Sequence, residues 1–120
     1  MTDSHRSALL VASRPARRRR IAAALEGQGI TVVAEIDDPD EALPLLEQCE
    51  PSVLVIELST GQEGSDLVVR NAHVLDFVGA ARKRAPGLRV IAVTESLDPG
   101  LVADAATRGV DAYVLEPNSD

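Results

Sequence analysis

The side chains able to do chemistry in this chain are few and widely spaced. Glu57 closes the aliphatic run that begins at Val53, and Glu116 follows the run Ala112–Leu115. Two carboxylates brought into one pocket can do acid–base work, and Arg14 is their expected local counter-charge. The stretch Ser59-Thr60-Gly61-Gln62-Glu63-Gly64-Ser65 offers hydroxyls, glycines and backbone amides able to cradle a phosphate ahead of a helix. It lacks a Walker lysine, however, and Glu63 and Asp66 would repel an anion. His5 and His73 have no serine, cysteine or carboxylate at a spacing that suggests a catalytic unit. His5 is read as part of a flexible N-terminal lead and His73 as a solvated helix side chain. Cys49, the one cysteine in the sequence, has no neighbouring cation to activate its thiol and is read as a packing residue. A single cysteine also excludes an internal disulfide and a cysteine-based zinc site. The residues therefore predict no enzyme, no metal and no cofactor, and shift the weight to binding and signalling.

With 120 residues, 45% hydrophobic and 26% charged, the sequence predicts one globular domain over residues 1–120, with 1–6 as a flexible lead. No apolar run approaches the ~20 residues of a membrane-spanning helix, and the polar start does not read as a signal peptide. The expected location is the cytoplasm. Phe77 and Tyr113 are the whole aromatic complement, so the core must be aliphatic and stacking surfaces for single-stranded nucleic acid are missing. Charge is unevenly spread. Residues 1–34 hold six arginines against Asp3 and Glu26, a net +4, whereas 35–120 hold six basic residues against seventeen acids, a net −11. The acidic bulk argues against a general nucleic-acid surface. The cluster Arg14, Arg17, Arg18, Arg19 and Arg20 reads either as a solvated helix face with one or two internal ion pairs or as a contact surface for an acidic partner.

Five short aliphatic runs, Ala8–Ala12, Thr31–Ile36, Val53–Leu58, Val90–Thr94 and Ala112–Leu115, are continuously apolar rather than alternating. That is the pattern of parallel strands buried on both faces. Helix signals fill the gaps. Ser13 is the expected cap of a first helix running to Leu25, with Pro15 in its first turn and Gly27 and Gly29 at its end. Asp38-Pro39-Asp40-Glu41 opens a second, which Pro44 should shorten or bend. Val74, Phe77, Val78 and Ala81 share a face of a third, ending near Pro86-Gly87. Asp98-Pro99 starts a fourth that stops at Gly109. The order predicts a doubly wound α/β three-layer sandwich, whose functional groups gather at the carboxyl ends of the strands.

At those ends the chain resembles the receiver domain of bacterial two-component response regulators, over about residues 7–117. The resemblance is carried by Leu9-Leu10-Val11-Ala12-Ser13-Arg14-Pro15, by Pro51-Ser52-Val53-Leu54-Val55-Ile56-Glu57-Leu58, by Arg89-Val90-Ile91-Ala92-Val93-Thr94, and by Gly109-Val110-Asp111-Ala112-Tyr113-Val114-Leu115-Glu116-Pro117. It implies a CheY-like, flavodoxin-like fold with strand order 2-1-3-4-5. In the family, two acids after strand one and an aspartate ending strand three hold magnesium. That aspartate accepts a phosphoryl group, a lysine after strand five contacts it, and a Thr and an aromatic residue switch in response.

Here the acidic pair falls on Ala12 and Ser13, the acceptor on Glu57 and the lysine on Glu116, while the switch positions hold Thr94 and Tyr113. Neither Ala12 nor Ser13 supplies an anionic oxygen to a hard cation. The expectation is an atypical receiver that binds Mg²⁺ poorly and takes no phosphate, with Glu57 either imitating a phosphorylated aspartate or acting as a relic carboxylate. The crossover after Leu58 is longer than usual in the family. Its excess lies in residues 59–66, and Ser59, Thr60, Gly61, Gly64 and Ser65 form a candidate ligand or partner loop. The family's fifth helix has no counterpart before Asp120, so an apolar strip of sheet should be exposed. The expected setting is the front domain of a longer transcription regulator, dimerising through the helix 4/strand 5 face and reaching DNA only through an output domain. Alternatives are a small-ligand or nucleotide-binding flavodoxin-like domain and a stand-alone adaptor for a localisation ATPase.

Overall fold

The computed structural model of the chain describes residues 6–58, 65–95 and 98–115, with backbone alone at 65–69. Strands and helices alternate: β1 (Ser7–Val11), α1 (Pro15–Gly27), β2 (Thr31–Ile36), α2 (Pro39–Cys49), β3 (Val53–Glu57), α3 (Ser65–Arg84), β4 (Arg89–Thr94), α4 (Pro99–Arg108) and β5 (Ala112–Leu115). The five strands form one sheet in the order β2-β1-β3-β4-β5, every neighbouring pair parallel. Fold class and strand order are those expected from the continuous apolar runs.

Alternation along each strand divides the core between two layers. Leu54, Ile56 and Leu58 of β3 and the segment after it pack in the larger cluster with Ala42 and Leu46 of α2, Val74 and Val78 of α3, and Ala105 of α4. Val55 lies on the opposite side, with Ala8 and Leu10 of β1 and with Ile21 and Ala22 of α1. Glu57, two residues on from Val55, therefore projects toward α1. On this α1 side the far end of the sheet is open: Ala112 and Val114 of β5 are exposed and Ile91 of β4 is half-buried.

Local chemistry sets the helix starts. Asp38 and Asp98 cap α2 and α4, accepting from the backbone N–H groups of Asp40 and of Gly100 and Leu101, with Pro39 and Pro99 as first helical residues. The first helix corrects the sequence-based expectation. Its cap position is Arg14, not Ser13, because Pro15 presets the first helical residue and holds the one before it extended (φ −91°, ψ 118°). Ser13 is left free for another role. Pro44 does not end α2, which runs 11 residues to Cys49 on the buried anchors Ala42 and Leu46. The third helix is 20 residues long and begins at Ser65, so Ser65 and Asp66 belong to it rather than to the preceding loop. Gly109 ends α4 at φ 115°, a conformation that favours glycine, with the Arg82 side chain close against it.

Candidate functional site

The carboxyl ends of β1, β3 and β4 lie side by side, since Val11 pairs with Ile56 and Glu57 with Val93. Four charged groups converge just beyond them. Glu57 is buried, and so is Arg17 in the first turns of α1, their side chains 3% and 4% exposed. Arg17 Nε stands 3.2 Å from Glu57 Oε2, an ion pair out of line for a hydrogen bond. Its Nη1 donates to Glu95 Oε2 at 2.9 Å. Arg14 Nη1 donates to the same Glu95 oxygen from the solvent side, at 3.1 Å. The second oxygen of Glu57 accepts the Ser13 backbone N–H at 3.0 Å. Alongside, Arg18 Nη1 donates to the Ala12 carbonyl, and its Nε faces Glu35 at 3.6 Å.

An unpaired buried carboxylate or guanidinium is costly, so each of these groups makes the burial of the other tolerable. The arrangement corrects one sequence expectation. Arg17, not Arg14, is the counter-charge of Glu57. The arginine cluster is otherwise as its first reading has it, a helix face with Arg14, Arg19 and Arg20 exposed and Arg17 in an internal ion pair. Sequence reasoning singled out neither Arg17 nor its bond to Glu95. The available signal was periodicity: Arg17, Ile21 and Leu25 are spaced i, i+4 and i+8, which places Arg17 on the apolar face of α1.

The donor set does not fit a magnesium ion. Ala12 offers no side-chain oxygen, Ser13 turns its N–H toward Glu57, and a guanidinium touches both carboxylates.

Thr94 ends β4 and is 1% exposed. Tyr113 pairs with Ala92, packs half-buried against the larger core cluster, and donates its hydroxyl to the Leu101 carbonyl at 3.0 Å. Burial, with Asp104 and Asp98 adding negative charge nearby, pushes the Tyr113 phenol up from 10.0 to about 12. The folded state thus holds the proton more tightly than the unfolded chain. This contribution to stability is fully present below about pH 10 and is lost as pH rises through about 12. With one tyrosine and no tryptophan in the chain, phenolate ultraviolet absorbance reports this group alone. A pH titration of the folded protein should show a midpoint near 12. A midpoint at the ordinary tyrosine value would mean that the hydroxyl is solvated.

Glu116 and the loop residues Ser59, Thr60, Gly61 and Gly64 lie outside the described residues, and of Ser65 only the backbone is described. His73 is exposed on α3, in keeping with its reading as a solvated helix side chain. Its Nε2 faces Asp40 at 3.2 Å and Asp38 at 4.0 Å, three exposed groups whose donor atoms lie within 4.8 Å of one another. Asp38 Oδ1 is already engaged in capping α2, and all three side chains are exposed. No helix among the described residues is long and apolar enough to cross a membrane.

No protein-family model and no curated protein sequence matches the chain. Solved structures do. The chain is similar to a LuxR-family two-component response regulator from Aurantimonas sp. SI85-9A1, at 24% identity and TM-score 0.74, covering 93% of this chain and 74% of that one. It is similar to the signal receiver domain of the response regulator NarL from Mycobacterium tuberculosis, at 21% identity and TM-score 0.75, covering 98% and 88%. A response regulator from Thermotoga maritima matches at 17% identity and TM-score 0.77, covering 97% and 88%. The fold is that of a CheY-like receiver domain.

Proposed function

We propose that the chain is a receiver-like signalling and interaction domain that works without accepting a phosphoryl group. The observation that carries this reading is the state of Glu57. The residue at the acceptor position is buried and paired with Arg17, and a backbone N–H occupies its other oxygen. Phosphoryl transfer needs a carboxylate open to in-line attack and a cation to screen the incoming charge. A glutamate held this way offers neither. The domain is thus a cytoplasmic protein-interaction module with no catalytic role of its own, and the buried Thr94 and half-buried Tyr113 respond to partners rather than to phosphate.

Its place is in a bacterial two-component-type regulator, acting on transcription through an output domain beyond residues 1–120, with a second copy or a protein partner on the α4/β5 face. The likeness to a LuxR-family response regulator supports that setting.

The test uses small-molecule phosphodonors. With acetyl phosphate or beryllofluoride and excess Mg²⁺, the intact mass should be unchanged and the Thr94 and Tyr113 NMR signals should not move. A phosphoryl adduct on Glu57, or a saturable shift at those two residues, would overturn the reading.

A further inference from the structure

The same site carries a more specific inference, which rests on reading the domain as a receiver fold without phosphoryl transfer. We infer that Arg17 is a built-in cation that closes the site to divalent metal ions, so that removing its guanidinium alone opens a metal site between Glu57 and Glu95. Three observations support this. First, the guanidinium touches carboxylates from two elements, Glu57 at the end of β3 and Glu95 just after β4. It therefore ties together the segments that a metal ion at these strand ends would tie. Second, the charges already balance. Glu57 and Glu95 face Arg17 and Arg14, so a divalent ion entering this group would meet two guanidinium charges at close range in a poorly screened place. Third, Arg17 is enclosed while Arg14 is not, their side chains 4% and 47% exposed. Arg14 reaches Glu95 from solvent and can swing away, whereas Arg17 is held inside the protein between Glu57 and Glu95.

Two glutamates released from a shared guanidinium are oxygen donors of the kind that hold Mg²⁺, Ca²⁺ or Mn²⁺. The consequence is a fixed brace. Where a bound ion comes and goes with its concentration, this link between α1, β3 and the start of the β4–α4 connection is covalently attached to the chain and always present.

The test is Mn²⁺ binding followed by water-proton relaxation, with thermal unfolding recorded on the same samples. Wild type and Arg14→Ala should show no saturable binding and no shift in melting temperature with Mn²⁺. Arg17→Ala should bind Mn²⁺ saturably, and its melting temperature should rise with the ion. Arg17→Lys, which keeps a cation, should stay closed. If Arg17→Ala is unfolded, Arg17→Met fills more of the space and carries the same expectation. In the wild type, the Arg17 Nε–H NMR signal should be unmoved by millimolar Mg²⁺, a measurement that needs no variant. Saturable binding in the wild type, a shift of that signal, or a folded Arg17 variant that ignores Mn²⁺ would each overturn the inference. Its failure is separable from failure of the functional reading, which turns on phosphoryl transfer to unmodified protein.

Discussion

Arg17→Ala should lower the folding stability by about 3–5 kcal/mol, as expected when one partner of a buried ion pair is removed and the other is left behind. The carboxylate of Glu57, 3% exposed beside Arg17, would be left with the Ser13 N–H and hydroxyl as its partners. Arg14 is bound to Glu95 and stands outside the enclosed part of the site. The size of the effect is not a measure of how much the ion pair stabilises the fold, because desolvation of both groups offsets most of their attraction. Replacing both members separates the two quantities. Arg17→Met combined with Glu57→Leu should recover most of the loss, so a double-mutant cycle in urea should give strongly non-additive values. A single-variant loss below about 1 kcal/mol, the range of solvated surface pairs, would mean that water reaches Glu57 and that the site is not closed.

The second large effect lies in the core. Leu54→Ala should cost about 2–5 kcal/mol. Leu54 is fully buried in β3, with Leu9 of β1 on one side in the sheet and Val90 of β4 on the other, both also fully buried. Its side chain belongs to the larger core cluster, in which Phe77 is the one buried aromatic residue among otherwise aliphatic groups, with Tyr113 packed half-buried against them. The surrounding strands are locked by hydrogen bonds on both sides and cannot collapse into the space, so the cavity penalty should add to the lost transfer free energy. Urea unfolding should show a lower midpoint with an unchanged slope. A loss under about 1 kcal/mol would place Leu54 at a yielding edge rather than at the centre.

The two effects differ in how far the sequence announced them. Leu54 sits in a run of four apolar residues, Val53–Ile56, and such runs located all five strands to within a residue; burial on both faces accounts for the inner strands β1, β3 and β4, whereas the edge strands β2 and β5 are exposed or half-buried along their length. Asp38 and Asp98, each followed by proline, announced two helix starts through local hydrogen bonding. Ser13 looked equally suited as a cap. It lost the role to Arg14 because proline geometry at residue 15 decided the boundary, and its N–H then became a donor for Glu57.

The site was legible in outline only. Glu57 and Thr94 were placed by the strands that carry them. Arg17 was obscured by the run of four arginines around it, where charge reads as exposure unless the helical period is followed through Ile21 and Leu25. Its bond to Glu95 joins residues 78 apart in sequence. No local pattern encodes that contact, because it depends on how β4 is seated beside β3. The start of α3 goes unmarked in the sequence for a related reason: the Ser- and Gly-containing stretch before it carries turn signals right up to residue 64, and no proline marks where the helix begins.

The strand order also fixes an order of assembly. β1 is the first strand to be synthesised, yet it lies inside the sheet, between β2 and β3. Parallel neighbours cannot form a hairpin, so each pairing waits for a full crossover. Ala8, Leu9, Leu10 and Val11 are almost completely buried in the finished protein, but on the ribosome they stay half-covered until Val53–Ile56 emerges. β3 in turn waits for β4, which follows the long third helix. A nascent chain halted before β3 thus exposes its most apolar strand along one whole edge, and the folding of this domain is gated by the arrival of its middle strand rather than by its first helix.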